Sequence, residues 1–198
     1  EGYLRNPLPL PSPGVGGTCL QKDPYILYDS AKKHGVDLSL VREARKSNEN
    51  MIQFVGGKVE NFFNEHKLDS GAKIFILGIA FKGTPETSDI RASTSIDAIQ
   101  YLKSKGLDNI LVYDSVVSRE TLLEAELELV ESIEDGFKDS QAVLVMNNHP
   151  SYLDINIFKL TSLMQKPGMF FDAWHLFQQS EVESISGISY QGLGTQRK

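Results

Sequence analysis

The chain has 198 residues, 40% of them hydrophobic and 23% charged, and a formal net charge of -6. This length suits one large domain or two small ones with a real hydrophobic core. The acidic balance argues against a protein that binds nucleic acid, and no apolar run approaches the roughly 18 residues of a membrane span. A single cysteine excludes an internal disulfide and a cysteine-rich zinc site, and it favours a reducing compartment, the cytoplasm.

The chain begins with Glu1 and a proline-rich segment, EGYLRNPLPLPSPGVGG, with no predicted element before it. We therefore expect the sequence to be a fragment of a longer protein with a partner domain upstream. After Asp23 and Pro24 the pattern becomes helical, which suits a proline in the first turn of a helix. This first helix is predicted to reach about Lys33, where HGVD ends it.

A second, much longer helix is predicted from Ser39, a residue type that caps helices. Apolar or small residues recur there in steps of three and four, at Val41, Ala44, Asn48, Met51, Val55 and Phe62, with Ile52, Val59 and Phe63 alongside. This spacing predicts one long amphipathic helix. Gly56 and Gly57 each cost about 1 kcal/mol relative to alanine, so we expect close packing there. Such a stripe favours a role in a dimer or in interdomain packing over catalysis.

From residue 70 onward, short apolar runs alternate with helical patterns. The run AKIFILGIAF, at 72–81, is typical of a strand buried on both faces. After it come the helical STSIDAIQYLKSKG, the strand NILVYDS, QAVLVMNNH, a helix around Ile157 to Met164, GMFFDAW, and a last short strand around GISYQGLG. This alternation predicts a three-layer α/β fold with a mainly parallel sheet. The chain then divides into a helical segment over 1–69 and an α/β domain over 70–198.

Ligands of open parallel sheets bind beyond the carboxyl ends of the strands, and two features of the sequence are expected there. FKGTPETSDIRAS follows the first strand and offers Lys82, glycine amides and Arg91 near a helix start, which suit an anionic phosphate. A solvated loop with two ordinary cations is the alternative, because the loop is neither a GxGxxG nor a P-loop sequence. Asp114 ends the second strand, where a carboxylate either holds a ribose or caps the strand.

Cys19 is expected at the entrance to a helix, within PSPGVGGTCLQKDPYIL. Three glycines that permit positive φ, or a close approach of backbone to ligand, precede it: Gly14, Gly16 and Gly17. A helix N-terminus and a nearby Lys22 favour the thiolate, which is the nucleophilic form, and Asp23 is near enough to orient or deprotonate a water. The alternative is a buried and inert cysteine, which is common in cytoplasmic proteins.

Two histidines are expected at the ligand edge of the sheet, His149 in MNNHPSY and His175 in DAWHLF. Either could pair with Cys19 in a cysteine hydrolase, although no local signature supports the pairing. Neither has a second ligand at metal-binding spacing, so no metal site is expected.

Five segments follow one another along the chain: GVGGTCLQKDPYIL, a long helix containing ARKSNENM, KIFILGIAFKGTPETSDIRASTS, VYDS and FFDAW. In this order they resemble the UDP-glucose/GDP-mannose dehydrogenase family, over essentially the whole chain from about Pro13. The resemblance implies a central segment that forms a homodimer through the long helix, followed by a Rossmann-like domain that binds a UDP-sugar. In that family an N-terminal Rossmann domain, absent here, binds NAD.

The resemblance also implies a reaction, the oxidation of the C6 alcohol of a UDP-sugar to the carboxylate. Cys19 matches the nucleophile that forms a thiohemiacetal and then a thioester, while two NAD molecules each accept a hydride. Asp23 matches the aspartate that assists water in the hydrolytic step. The family's catalytic lysine, asparagine and glutamate belong to the missing part, so the fragment alone is expected to be inactive.

Other positions match residues that bind substrate or cofactor in the family. The substrate set is Gly14, Gly16, Gly17, Phe81 and Lys82, together with Arg5, which corresponds to an arginine lent by the dimer partner. Lys22 and Arg91 match positions on the cofactor side.

The chain departs from the family pattern in one segment. Many members carry an arginine after FDG that contacts the sugar, whereas this chain has FDAWH, with Trp174 or His175 in its place. DPYIL and NNHPSY favour enzymes that act on UDP-N-acetylhexosamines, while Lys22 in QKD favours UDP-glucose enzymes. The identity of the sugar is therefore undecided. A non-catalytic UDP-sugar-binding module is the rival interpretation.

Overall fold

The computed structural model describes residues 11–194. The helices are α1 (Thr18–Lys33), α2 (Ser39–His66), α3 (Thr94–Ser104), α4 (Arg119–Glu124), α5 (Ile133–Phe137), α6 (Ile157–Ser162) and α7 (Gln179–Glu183), and a 3-10 helix spans Pro150–Asp154. The strands are β1 (Ile74–Leu77), β2 (Ile110–Tyr113), β3 (Glu128–Leu129), β4 (Ala142–Val145), β5 (Gly168–Asp172) and β6 (Ile188–Gly192).

The strands form one six-stranded sheet in the order β3-β2-β1-β4-β5-β6, and each neighbouring pair is parallel. This is the strand order of the Rossmann fold. Every residue of β1, β4 and β5 is buried, because their nearly continuous apolar runs have helices over both faces. The predicted parallel α/β fold is confirmed.

The two faces of the sheet have separate apolar cores. On one face, side chains of α2, α3 and α4 pack over Ile74, Ile76 and Leu144. On the other face, α5, α6 and α7 cover Phe75 and Phe170. Because α2 enters the first core, its carboxyl half packs directly on the α/β domain, and the division of the chain near residue 69 stays a prediction.

Helix α1 differs from the prediction at its start. It begins at Thr18, directly after Gly17, whose N–H donates to the carbonyl of Ala92 over 3.1 Å. Pro24 therefore lies inside the helix, and its placement in the first turn was wrong. The start is determined by the glycine, which has φ 93° and turns the chain into the helix.

Helix α2 confirms the long amphipathic pattern. Its buried residues are Arg45, Ile52, Val55, Gly56, Val59, Phe62 and Phe63. A Cβ built on Gly56 would overlap the ring of Tyr101 on α3, so the close packing expected there exists, whereas a Cβ on Gly57 meets nothing within 4 Å. Within residues 11–194, no helix is both long and apolar enough to cross a membrane.

Candidate active site

The loops that leave β1, β2 and β4 meet at the carboxyl edge of the sheet, and Asp114 joins them. Its Oδ2 accepts hydrogen bonds from the N–H groups of Ile79 and Ala80, over 2.6 and 3.0 Å. Its Oδ1 accepts from Val116 and Val117, over 2.8 and 3.0 Å. With four backbone donors on a buried carboxylate, Asp114 caps the β1 loop and is not free to hold a ribose.

Residues 81–93, the larger part of the loop between β1 and α3, are held against the loop after β4. The N–H of Gly83 donates to Oδ1 of Asn148 over 3.1 Å, and a Cβ on Gly83 would overlap the backbone of His149. The imidazole of His149 bridges the same loops, with Nε2 3.2 Å from Oε2 of Glu86 and Nδ1 2.7 Å from Oγ of Ser151. These contacts give residues 81–93 a defined position at the sheet edge.

The glycine loop that precedes Cys19 lies on residues 81–93. A Cβ on Gly17 would lie 3.1 Å from the ring of Phe81, and one on Gly16 would overlap the carbonyl of Ala92. Gly14 contacts α2 and α3 instead, where Asn48 and Thr94 are its nearest neighbours. The structure therefore brings Gly16, Gly17 and Phe81 together, although their sequence separation exceeds 60 residues.

Cys19 is an exposed free thiol in the first turn of α1. On the same helix, Nζ of Lys22 lies 2.5 Å from Oδ1 of Asp23. The hydrogen bond and the charge of Asp23 raise the pKa of Lys22, and Cys19 adds a smaller electrostatic contribution in the same direction. Cys19 is therefore not buried, and its reactivity stays a prediction.

Arg91 approaches Cys19 from residues 81–93. Hydrogen bonds to Asp89 raise the pKa of Arg91, and Cys19 again adds a smaller electrostatic contribution. The same pair, whose Nη2 to Oδ2 distance is 2.7 Å, lowers the pKa of Asp89. Lys22 and Arg91, each paired with a neighbouring carboxylate, thus both lie near Cys19.

Lys82 lies farther along the same edge. Its Nζ is 5.3 Å from the centre of the Phe81 ring, and both side chains are half-buried. Gly17, Phe81 and Lys82 therefore form one continuous surface of backbone, ring and cation. Such a surface suits a planar base and a phosphate.

Neither histidine contacts Cys19 among residues 11–194. Both ring nitrogens of His149 have other partners, as described above, and Nε2 of His175 is 2.7 Å from the carbonyl oxygen of Leu193. The indole N–H of Trp174 donates to the carbonyl of Met146 over 2.9 Å. Within the same residues, no group of three or more His, Cys, Asp or Glu is placed to hold a metal ion.

The sequence prediction missed the polar side chains of α2 that hold the glycine loop. Arg45 donates to the carbonyls of Val15 and Leu20, and Asn48 makes two hydrogen bonds with the backbone of Val15. The available signal was a pair of polar residues on the otherwise apolar face of α2. Arg5, the remaining predicted site residue, lies outside the described residues.

Fold and site together define a Rossmann-like α/β protein with a helical segment that presents an exposed cysteine at the ligand edge. Two family models match this chain, and both describe the same family. The model of the UDP-glucose/GDP-mannose dehydrogenase family, UDP binding domain, matches residues 75–179, and the model of the same family's central domain matches residues 5–50. The chain belongs to this family, whose members are NAD-dependent dehydrogenases.

Individual curated proteins similar to this chain are dehydrogenases of the same kind. The chain is 27% identical to UDP-glucose 6-dehydrogenase of Bacillus subtilis (strain 168), over 91% of this chain and 38% of that protein. It is 29% identical to UDP-N-acetyl-D-mannosamine dehydrogenase of Pyrococcus horikoshii, over 93% of this chain and 40% of that protein. The chain thus spans about two fifths of the length of these curated relatives.

Solved structures show the same fold. The UDP-D-ManNAc dehydrogenase from Pyrococcus horikoshii aligns with a TM-score of 0.77 and 27% identity, over 97% of this chain and 41% of that chain. An NDP-N-acetyl-D-galactosaminuronic acid dehydrogenase from Methanosarcina mazei aligns with a TM-score of 0.81 and 22% identity, over 96% of this chain and 40% of that chain. At that identity the second likeness supports the fold alone.

Proposed function

We propose that this chain is the central and C-terminal part of an NAD-dependent nucleotide-sugar 6-dehydrogenase that oxidises the C6 alcohol of a UDP-sugar to the carboxylate. The observation that carries the proposal is the exposed Cys19 in the first turn of α1, beside Lys22, Asp23 and Arg91, in a member of this family. Residues 1–69 supply the substrate loop and the central helices, and residues 70–198 supply the UDP-binding domain. UDP-glucose and UDP-N-acetylhexosamines are the candidate substrates.

The chain's own residues are suited to the covalent half of the reaction. The C6 alcohol first loses a hydride from C6 and its hydroxyl proton and becomes an aldehyde. The Cys19 thiolate adds to this aldehyde and, with uptake of a proton by the oxygen, forms a thiohemiacetal, which becomes a thioester when C6 loses a second hydride and the hydroxyl loses its proton. Lys22 engages Oδ1 of Asp23, and we assign Oδ2 to the water that hydrolyses the thioester. Hydrolysis releases the carboxylate and returns the thiol. The covalent link keeps the aldehyde on the enzyme between the two oxidations.

NAD, when bound, accepts the two hydrides. The described residues fit only its reacting end, because Lys22 and Arg91 lie beside Cys19 while Asp114 is already occupied by four backbone donors. The sequence also lacks a GxGxxG loop. We therefore propose that a further, N-terminal domain binds most of the NAD. We also propose that the enzyme is cytoplasmic.

The reaction can be tested by counting NADH per UDP-sugar with the full-length enzyme. We expect about two NADH per sugar in the parent and an arrested or severely slowed reaction in Cys19→Ser, because a hydroxyl is a far weaker nucleophile than a thiolate. Cys19 is exposed, so its substitution should leave the melting temperature unchanged. Ser30→Ala, on an exposed position of the same helix, is the matched control. Parental turnover in Cys19→Ser contradicts the assignment of the nucleophile.

The substrate surface can be tested with UDP alone. We expect Lys82→Ala to weaken UDP binding about tenfold, the size of one lost hydrogen bond to a charged group. Lys105→Ala is the matched control, because Lys105 also lies 5.3 Å from an aromatic ring, that of Tyr101, but on the far end of α3. Isothermal titration calorimetry that gives equal affinities for Lys82→Ala and Lys105→Ala rules the surface out.

A second candidate is a non-catalytic UDP-sugar-binding module. Trp174 and His175, which stand where many members have a sugar-contacting arginine, both have a ring nitrogen in contact with a backbone carbonyl oxygen. This arrangement favours a site that binds the nucleotide without orienting the sugar. If the protein is such a module, the full-length protein should bind UDP and produce no NADH. The Cys19→Ser variant should then bind UDP with the parental affinity.

We also propose a homodimer formed through α2, in which the partner's copy of Arg5 reaches the substrate. Support comes from an apolar cleft between α1 and the start of α2, where Leu20 and Leu40 are 54% and 81% exposed. Contiguous exposed apolar surface of this kind marks protein interfaces. Sedimentation equilibrium that shows a monomer at all concentrations contradicts this proposal.

A further inference from the structure

Pro24 creates a defect in the helix that carries Cys19. In an α-helix the carbonyl of residue i accepts from the N–H of residue i+4, and proline has no N–H. Pro24 lies inside α1, so the carbonyl of Leu20 has no donor on its own helix at that position. Leu20 is the residue that follows Cys19, and the defect therefore lies one residue from the proposed nucleophile.

Arg45 of α2 supplies the missing donor. Its Nη1 donates to the carbonyl oxygen of Leu20 over 3.3 Å and to that of Val15 over 3.2 Å. Its Nε donates to Oε1 of Glu49 over 3.1 Å, and only 9% of the side chain is exposed. One guanidinium thus joins the glycine loop before Cys19 to the helical turn after it.

Two neighbours on α2 complete the contact. Oδ1 of Asn48 accepts from the N–H of Val15 over 2.7 Å, and its Nδ2 donates to the carbonyl of Val15 over 3.2 Å. Glu49 accepts a hydrogen bond from the hydroxyl of Tyr25, over 3.0 Å to each carboxylate oxygen. The side chains of α2 therefore bond to both sides of the turn that contains Cys19.

We propose that Arg45 is a positioning residue for Cys19, and that it does this by supplying the hydrogen bond that Pro24 removes from α1. The helix N-terminus favours the thiolate only while the first turn keeps its geometry. α1 has no buried residue of its own to maintain that geometry, so the hydrogen bonds from α2 maintain it together with the one from Gly17 to Ala92. This inference rests on the proposed role of Cys19 as nucleophile.

The test uses the 198-residue chain and the rate at which iodoacetamide alkylates Cys19, its single cysteine, at pH 7. We expect Arg45→Met to slow alkylation about threefold, the size of one lost helix-terminus interaction. Cys19 is already exposed, so loosening the turn adds no access that would offset this loss. Hydrogen exchange of the amides of residues 15–22 should accelerate in the same variant.

The diagnostic variant is Pro24→Ala, which restores an N–H opposite Leu20. Alone it should leave alkylation near the parental rate, and in combination with Arg45→Met it should recover at least half of the lost rate. Arg42→Met is the matched control, because Arg42 also ties α2 to α1 but through the hydroxyl of Tyr28, over 3.1 Å. It should leave alkylation unchanged. Arg45→Lys, whose ammonium ends about one bond short of the Nη1 that donates to both carbonyls, should slow alkylation by a smaller factor and serves as the second variant if Arg45→Met fails to fold.

Three outcomes overturn the proposal: a parental alkylation rate in Arg45→Met and Arg45→Lys, equal fold-changes from Pro24→Ala with and without Arg45, or the same slowing from Arg42→Met. The alkylation readout needs neither NAD nor a UDP-sugar. Absence of NADH from the full-length protein, with the Pro24 and Arg45 coupling intact, would therefore refute the proposed function and leave the positioning role standing.

Discussion

The sheet and helix α1 are held in place by different forces. Every residue of β1, β4 and β5 is buried, whereas α1 contains no buried residue at all. The sheet gains its stability from apolar area removed from water, which is large and non-directional. α1 and the loop that leads into it are held by the directional hydrogen bonds of Arg45, Asn48 and Gly17, each worth about 1 kcal/mol.

This difference shows how the protein combines stability with an exposed thiol, the nucleophile that we propose. A cysteine buried in the sheet core could not meet a substrate, and an exposed helix cannot be positioned by burial. Polar contacts around its first turn hold the turn of Cys19 without covering the thiol. The comparison predicts that substitutions in the sheet change the free energy of unfolding, while most substitutions in α1 do not.

The largest effect is expected for Phe170→Ala. Phe170 is fully buried on β5 and its ring lies between those of Phe137 and Phe177, with ring centres 6.0 and 5.6 Å away. Truncation should lower the free energy of unfolding in urea by about 3 to 5 kcal/mol. Leu27→Ala on α1, where the side chain is 53% exposed, should change it by less than about 0.5 kcal/mol. Comparable losses of unfolding free energy in the two variants would contradict the difference proposed between the sheet and α1.

Smaller changes in melting temperature, opposite in sign, are expected for alanine substitutions at the two glycines of α2. Gly56→Ala should lower the melting temperature, because the new Cβ overlaps Tyr101 and overpacking costs about 1 to 3 kcal/mol. Gly57→Ala should raise it, because nothing lies within 4 Å and alanine is favoured over glycine in a helix by about 1 kcal/mol. Calorimetric melting of both variants checks this, and a stabilised Gly56→Ala would mean that α2 and α3 are not in contact.

The smallest effect concerns Asp97, which lines a cleft of 420 Å³ together with Arg45. Burial raises the pKa of Asp97, and Arg45 opposes the shift. A carboxyl whose pKa is higher in the folded state stabilises the fold most at low pH, and this contribution is lost as pH rises through the folded-state pKa. Asp97→Asn should therefore be more stable than the parent at pH 7, by less than about 1 kcal/mol.

The stability difference for Asp97→Asn should disappear as the pH is lowered to about 3, because the parent carboxyl is then protonated in both states. Urea unfolding at a series of pH values measures it. Asp108→Asn, on an exposed loop after α3, is the control and should show no such trend. A parent that is the more stable form at pH 7 would contradict the assigned direction.

Periodicity in the sequence was enough to predict the main elements. The long helix appears at Ser39–His66 as expected, because its apolar residues repeat with the helical period. The buried strands follow from short apolar runs. The short elements between Asp114 and Gln141 carry no such signal, since α4 and α5 have six and five residues and β3 has two. Their positions depend on packing against β2 and on serine caps at Ser118 and Ser132.

The sequence pattern predicted some features of the candidate site and left others undecided. The order of the motifs predicted roles for Cys19, Lys82 and Arg91, which stay predictions, and the structure places Cys19 near Arg91. The same information left Asp114 open between a ribose ligand and a cap, because four backbone N–H groups on one carboxylate cannot be seen in a linear sequence.

By itself, the sequence determined the fold class, the long helix and the family, because apolar periodicity and motif order are local properties of the chain. Only the tertiary structure decided where α1 begins, which glycines lie under Phe81, and how the proline in α1 is compensated. Each of these depends on hydrogen bonds or contacts between residues at least 25 positions apart, such as Arg45 and the carbonyl of Leu20. The packing of α1 against α2 and residues 81–93 brings those groups together.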